Sequence, residues 1–339
     1  MKNTYVTYFD LNYSARGLAL IQSLRNAGDS NNVVVLALDI ETKRLMLELD
    51  LPNSLVIDTQ TLIDAYPGLA QVRKDRSPME FTFTLTPWLS KWVWDNINLT
   101  QPDDDNLWVT YLDADTYFFD SPRVIMEEQK EYSVGIVEHR FSPDQAWRNK
   151  FGIYNVGWVS FRNDENGKAC LNWWAEQCLD WCSDEIDGEK YADQGYLNWF
   201  PRKFERVKII ENPGVNLAPW NLKTHKLSLS SQNHVLVDGS PLVLFHFHGI
   251  RKRWDRFLLK HYPYRVKTTE IMQSNIYNPY FRVLSKQITG ETEQPRLRRK
   301  ITRAPTFSQG RTLILDTIAL LRGDTLKMND SDSHLRGTK

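Results

Sequence analysis

Several things are scarce in this sequence, and each scarcity excludes a class of protein. Three cysteines in 339 residues, an odd number, cannot build a disulfide scaffold and suit a reducing cytoplasm. No run approaches the roughly 18 apolar residues that cross a bilayer, so no integral membrane protein is expected. The densest run spans only residues 33–38. Residues 1–10 contain neither an apolar stretch nor a small-residue cleavage site, which predicts a cytoplasmic rather than a secreted chain. There is no net charge, 42 basic residues standing against 42 acidic. No overall field therefore gathers nucleic acid, and no nucleic-acid-binding motif is present. No repeat recurs at a fixed period.

What is present is an ordinary globular composition, 41% hydrophobic and 25% charged, with its charge unevenly placed. Residues 246–303 carry 14 Lys and Arg against 4 Asp and Glu, and the front of the chain is correspondingly acidic. Length alone suggests about two domains. Residues 4–9 read as a strand, and residues 14–27 as a helix with Leu18, Ile21 and Leu24 on one face and Gly28 as its stop. A continuous apolar run at 33–38, a helix at 41–49 and a short strand at 55–57 repeat that alternation. A helix at 81–94, packed by Leu85, Leu89, Trp92 and Val93, is followed by a strand at 107–112. Such alternation predicts an α/β fold with a mostly parallel, doubly wound central sheet flanked by helices. The second half is less regular: strands at 133–137 and 156–161, a helix at 169–182 and a last core strand at 242–247 read as antiparallel additions. Cys178 and Cys182, beside Trp174 and Trp181, lack further metal ligands and read as buried structural thiols. Glu, Gln, Pro, Arg and Thr from 290 onward mark a linker or tail, with one short helix expected at 312–321.

The sharpest chemical feature is Asp113-Ala114-Asp115, directly after a buried strand. That places two carboxylates at the carboxyl end of a parallel strand, the edge where open α/β sheets bind ligands. They can hold a divalent cation that bridges to phosphate oxygens; a polar loop is the bland alternative. The second feature is His246-Phe247-His248-Gly249-Ile250-Arg251-Lys252-Arg253-Trp254. A neutral imidazole here can complete the coordination, and one His among oxygens favours Mn over Mg. Lys252 can then lie on a diphosphate. His248 is a competing ligand, and a core histidine followed by a solvated basic turn is the alternative. The third feature is Asn155, within Tyr154-Asn155-Val156-Gly157-Trp158, together with Asp193-Gln194. Taken alone, Asp193 reads as an N-cap for a helix through Leu197.

In this order, the D-A-D triplet, Tyr-Asn-Val-Gly-Trp, Asp-Gln-Gly-Tyr-Leu-Asn and His-x-x-Gly-x-x-Lys-x-Trp together resemble the retaining glycosyltransferases of family 8, the galactosyltransferase and glycogenin group, over about residues 3–254. The resemblance implies the GT-A fold, a nucleotide-sugar donor, usually UDP-linked, and Mn2+ (Mg2+ as the alternative) held by Asp113, Asp115 and His246. It further implies that Lys252 contacts the diphosphate, that Thr7, Tyr8 and Phe9 meet uracil and ribose, and that Ala114 lies at the donor. Asn155, Asp193 and Gln194 would line the donor sugar and the face that the acceptor attacks. The family places a basic residue near the donor, for which Arg73, Lys74 and Arg76 are the candidates. Arg253 stands where the family has proline.

The expected reaction is metal-assisted transfer of a hexose to a saccharide or lipid-linked acceptor, such as a bacterial surface polysaccharide, with retention of anomeric configuration. The expected organisation is a catalytic domain at 1–254, a basic, aromatic extension at 255–290 packed on or near it, and a tail at 291–339. Arg251, Lys252, Arg253, Arg256, Lys260, Arg265 and Lys267 can dock on anionic lipid, which would make the protein peripheral at the inner membrane face. Two other classes are weighed. A sugar-phosphate nucleotidyltransferase would carry a Gly-rich phosphate loop after the first strand, where Asp10-Leu11-Asn12-Tyr13 has no glycine. A non-catalytic carbohydrate-binding protein is suggested by 12 Trp and 14 Tyr, but most of these fall at positions that packing explains.

Overall fold

The computed structural model describes residues 2–97, 107–253, 256–289 and 324–327. Trp254, the expected helix at 312–321 and nearly all of the tail lie outside the described residues. The order begins β1 (Lys2–Phe9), α1 (Ser14–Asn26), β2 (Asn32–Ala37), α2 (Ile40–Leu49), β3 (Ser54–Asp58), α3 (Thr59–Ala65), α4 (Gly68–Asp75) and α5 (Pro78–Ile97). It continues through β4 (Leu107–Tyr111), β5 (Thr116–Phe118), α6 (Arg123–Gln129), β6 (Val134–Glu138), β7 (Tyr154–Arg162), α7 (Glu165–Asp180), α8 (Phe200–Lys203) and β8 (Val207–Ile210).

Seven of these strands form one sheet in the order β3-β2-β1-β4-β7-β6-β8. Only β7 runs against its neighbours. The expected mostly parallel α/β architecture is therefore present. Strands buried on both faces explain the near-continuous apolar runs. In β2, Val33 and Val35 join Leu18, Ile21 and Leu24 of α1 on one face, while Val34 and Leu36 join Leu85, Leu89 and Val93 of α5 on the other. Each such buried side chain contributes about 1.5–3 kcal/mol. Cys170, Cys178 and Cys182 are free and buried, as expected of structural thiols.

α5 begins before the expected residue 81 because Ser77 and Glu80 form a capping box: Glu80 Oε2 accepts from Ser77 N at 2.9 Å, and Ser77 Oγ accepts from Glu80 N at 3.3 Å. The helix runs on through Pro87, held by fully buried Leu85, Leu89 and Val93.

Beyond the sheet, β9 (Leu227–Leu229), β10 (Val235–Val237) and β11 (Ser240–Pro241) form a small antiparallel sheet, and β12 (Leu244–His246) pairs with β5. β13 (Arg251–Arg253) and β14 (Arg256–Leu258) form a hairpin, which β15 (Thr325–Lys327) joins. α9 (Asn278–Thr289) packs against α1, and Tyr280 stacks on Phe247 with ring centroids 3.7 Å apart. The segment from 256 to 287 thus shares a core with α1 and β12.

Candidate active site

The site forms where β4 leaves the sheet. Leu112 N still donates to Val6 O at 2.9 Å, and a tight turn follows in which Thr116 N and Oγ1 both donate to Asp113 O, at 3.1 and 2.8 Å. The β5–β12 ladder then sets His246 opposite Thr116, and Phe247 N donates to Asp115 O at 2.8 Å. This pairing brings His246 to the two aspartates although they are distant in sequence. His246 Nε2 stands 3.0 Å from Asp115 Oδ1 and 3.6 Å from Asp113 Oδ2, and the imidazole is 3% exposed. Tyr111 OH donates to Asp113 Oδ1 at 3.0 Å, aiming that carboxylate.

The tautomer of His246 follows from its neighbours. β7 bulges between its pairings with Ile136 and Val137, which leaves residues 156–158 out of the ladder and turns Asn155 toward the site. Asn155 Oδ1 accepts from Gly157 N at 2.9 Å, which identifies that atom as the amide oxygen. His246 Nδ1, 3.2 Å from the same oxygen, must therefore carry a hydrogen and donate. Behind it, Asn155 Nδ2 donates to His139 Nε2 at 3.4 Å, and His139 Nδ1 donates to Ile153 O at 3.3 Å. Burial pushes the pKa of His139 down to about 4, keeping it neutral. The relay presents the Nε2 lone pair of a neutral His246 to two carboxylate oxygens. Three electron-rich atoms so close need a positive charge between them, supplied by a proton or by a cation.

The ionisation tendencies fit that reading. Burial alone would depress His246, but Asp115 and Asp113 raise it. Burial raises Asp115, yet His246 and Arg16 hold it below the ordinary range, while burial keeps Asp113 above it. A cation fits the donor set. Adjacent ligands of an ion bound at about 2.1 Å stand about 3 Å apart. His248 also comes within 4.8 Å of Asp115 and His246, so the competing ligand weighed from sequence lies at the site. Its imidazole is kept neutral, at about 3, by burial, Lys260 and His246.

The cluster opens into a cleft of about 740 Å³, lined also by Tyr8, Phe9, Asn155, Asp193 and Gln194. That is ample for a nucleotide-sized ligand. Asp193 does not cap the following turn, which spans Gln194–Trp199. Its carboxyl is 2% exposed, sits beside Thr86, and leaves Oδ2 without a hydrogen-bond partner. Burial raises its pKa to about 7. Gln194 Nε2 donates to Phe151 O at 2.7 Å.

Four expected donor contacts fall elsewhere. Thr7 is buried in β1 and Ala114 lies in the core beneath α1; neither lines the cleft. Arg76 is spent on structure, donating to Thr84 Oγ1, Cys178 O and Leu179 O at 2.5–2.6 Å, where it ties α4 to α7. Lys252 is exposed on β13. In turn, no motif announces His139, Arg148 or Trp220, and Lys260 and Tyr264 are expected only within a basic, aromatic stretch able to dock on anionic lipid; all five line the cleft.

Gly157 sits where a side chain cannot. A Cβ there would come 2.6 Å from Asn155 Oδ1 and 2.9 Å from His246 Nδ1. If the cluster holds a divalent cation, Gly157→Ala, by pushing the imidazole off the aspartates, should weaken its binding by about 10- to 100-fold, the usual cost of disturbing a ligand's support. Titration calorimetry with Mn, beside a melting curve, checks this; unchanged Mn affinity in the folded variant would refute it.

Fold and site together define an α/β sheet protein with an Asp-Asp-His cluster at the carboxyl edge of its parallel strands. The chain belongs to the same family as YfnF, an uncharacterized protein of Bacillus subtilis (strain 168), to which it is 31% identical over 258 residues, 74% of this chain and 82% of that protein. No family model matches the sequence. Among solved structures it is similar to mouse xyloside xylosyltransferase 1 in its apo form (14% identity, 74% of this chain and 98% of that one, TM-score 0.44). It is also similar to galactosyltransferase LgtC in complex with donor and acceptor sugar analogs (17% identity, 73% and 87%, TM-score 0.42). Likenesses this remote leave the side chains of the cleft to carry the functional reading. No helix among the described residues is long and apolar enough to cross a membrane.

Proposed function

We propose that this cleft transfers a hexose from a UDP-linked sugar to a saccharide acceptor, free or lipid-linked, with retention of configuration, as a GT-A enzyme of family 8 type. The observation that carries the proposal is the convergence of Asp113, Asp115 and the His246 Nε2 lone pair at the mouth of a nucleotide-sized cleft. These three side chains would hold Mn2+, with Mg2+ as the substitute. When bound, the ion supplies Lewis-acid stabilisation of the departing diphosphate, worth several kcal/mol.

The protein's own groups do the rest. The relay through Asn155 and His139 fixes the ligand imidazole. Gln194, tied to Phe151 O through its amide nitrogen, keeps its carbonyl oxygen available to face the electron-poor anomeric carbon. Asp193, raised toward neutrality by burial, is poorly suited to act as a covalent nucleophile. This favours attack by the acceptor hydroxyl on the face that the diphosphate leaves, with the departing phosphate taking the hydroxyl proton.

A thermal-shift panel of nucleotide sugars with and without Mn tests the reading. At ligand concentrations a hundredfold above the dissociation constant, a UDP-hexose with Mn should raise Tm by about 4 °C. The same mixture should slowly release UDP. The absence of any shift with UDP compounds would overturn the proposal, and pyrophosphate release from UTP would replace it with the nucleotidyltransferase.

A further inference from the structure

The resemblance assigns the leaving diphosphate to Lys252, yet that side chain is on the exposed strand β13, paired across the hairpin with Phe257 and away from the cleft lining. The chain re-enters the cleft after β14. Lys260 lines it there, with Nζ donating to His248 Nε2 at 2.8 Å, on the side of the cleft that holds Asp115. Gly249 makes this path possible. With φ at 71°, it passes beneath the lysine, and a Cβ there would meet Lys260 Cδ at 2.3 Å.

Arg148 lines the same cleft. Its guanidinium lies 4.8 Å from the Tyr264 ring centre and donates to Pro263 O at 3.1 Å, just beyond Lys260. Among the described residues neither cation forms an ion pair within 4 Å. A half-buried ammonium bonded to a neutral imidazole and facing another cation is costly to desolvate, unless an anion enters between them.

We propose that Lys260, supported by Arg148, is the side chain that binds the diphosphate of the nucleotide, in place of Lys252. The inference rests on the nucleotide-sugar reading above and deepens it. UDP and uridine binding, measured by calorimetry with saturating Mn in the full-length chain, tests it. Lys260→Ala should weaken UDP about 10- to 100-fold, the worth of a charge-assisted hydrogen bond, and leave uridine unchanged. Lys252→Ala should stay within about threefold of wild type for both. If Lys260→Ala does not fold, Lys260→Gln, which keeps the length and a donor, should show the same UDP-selective loss. Unchanged UDP affinity in the Lys260 variants, or the loss appearing in Lys252→Ala, overturns the assignment and leaves the nucleotide-sugar reading standing. Wild type that binds no UDP overturns both.

Discussion

Asp115→Asn is expected to lower Mn-dependent UDP release from a UDP-hexose by at least about 10³-fold, with the protein still folded. The side chain keeps its shape but loses the charge that sits 3.0 Å from His246 Nε2. Two effects combine. The proposed cation loses a ligand that is ionised at neutral pH, since His246 and Arg16 hold Asp115 below the ordinary carboxylate range. The departing diphosphate then loses electrostatic assistance worth several kcal/mol. UDP release assayed across Mn concentrations measures the first effect. Activity within tenfold of wild type at saturating Mn would contradict the metal site.

The second large effect concerns stability. Burial raises the pKa of Asp193 from the ordinary carboxylate value near 4 to about 7. Between about pH 4 and pH 7 the folded, metal-free protein retains this proton while the unfolded chain has lost it. The native state therefore loses stability as pH rises through that window and levels off above 7. The full penalty is at most about 4 kcal/mol, from a shift of that size at about 1.4 kcal/mol per tenfold change in proton affinity. Asp193→Asn, a near-isostere without charge, should remove that slope and melt up to about 6 °C higher than wild type at pH 8. At pH 4 the two should melt together. The same substitution should depress sugar transfer, because the carboxyl lines the cleft. Parallel melting curves from pH 4 to pH 8 would contradict the buried, raised carboxyl. A glycosyl adduct trapped on Asp193 and seen by intact mass would turn it into a nucleophile and reverse the proposed mechanism.

Much of this architecture is legible in the residues because local pattern and tertiary burial agree. The run at Val33 to Leu36 alternates between two cores, so its continuous apolar character is what a doubly covered parallel strand requires. Asp113 and Asp115 could be placed because an apolar strand ends at a sheet edge. α5 starts three residues before the expected Phe81 because the Ser77–Glu80 capping box, not the apolar period, sets its first turn.

The cations are illegible for a different reason. Arg76, Lys252 and Lys260 are each one basic residue among several, and their fates turn on a hairpin register and on the space above Gly249, which no local pattern announces. His139 gives no signal either; its role exists only through Asn155, which a bulge in β7 turns inward. Asn155, expected at the donor sugar, lines the cleft and also fixes the His246 tautomer.

The most direct test is the anomalous scattering from a crystal soaked with Mn and UDP. The account predicts one strong Mn peak between Asp113, Asp115 and His246, within about 2.3 Å of an Asp115 oxygen and of His246 Nε2. A peak elsewhere, with that nitrogen more than about 4 Å from the ion, would contradict it.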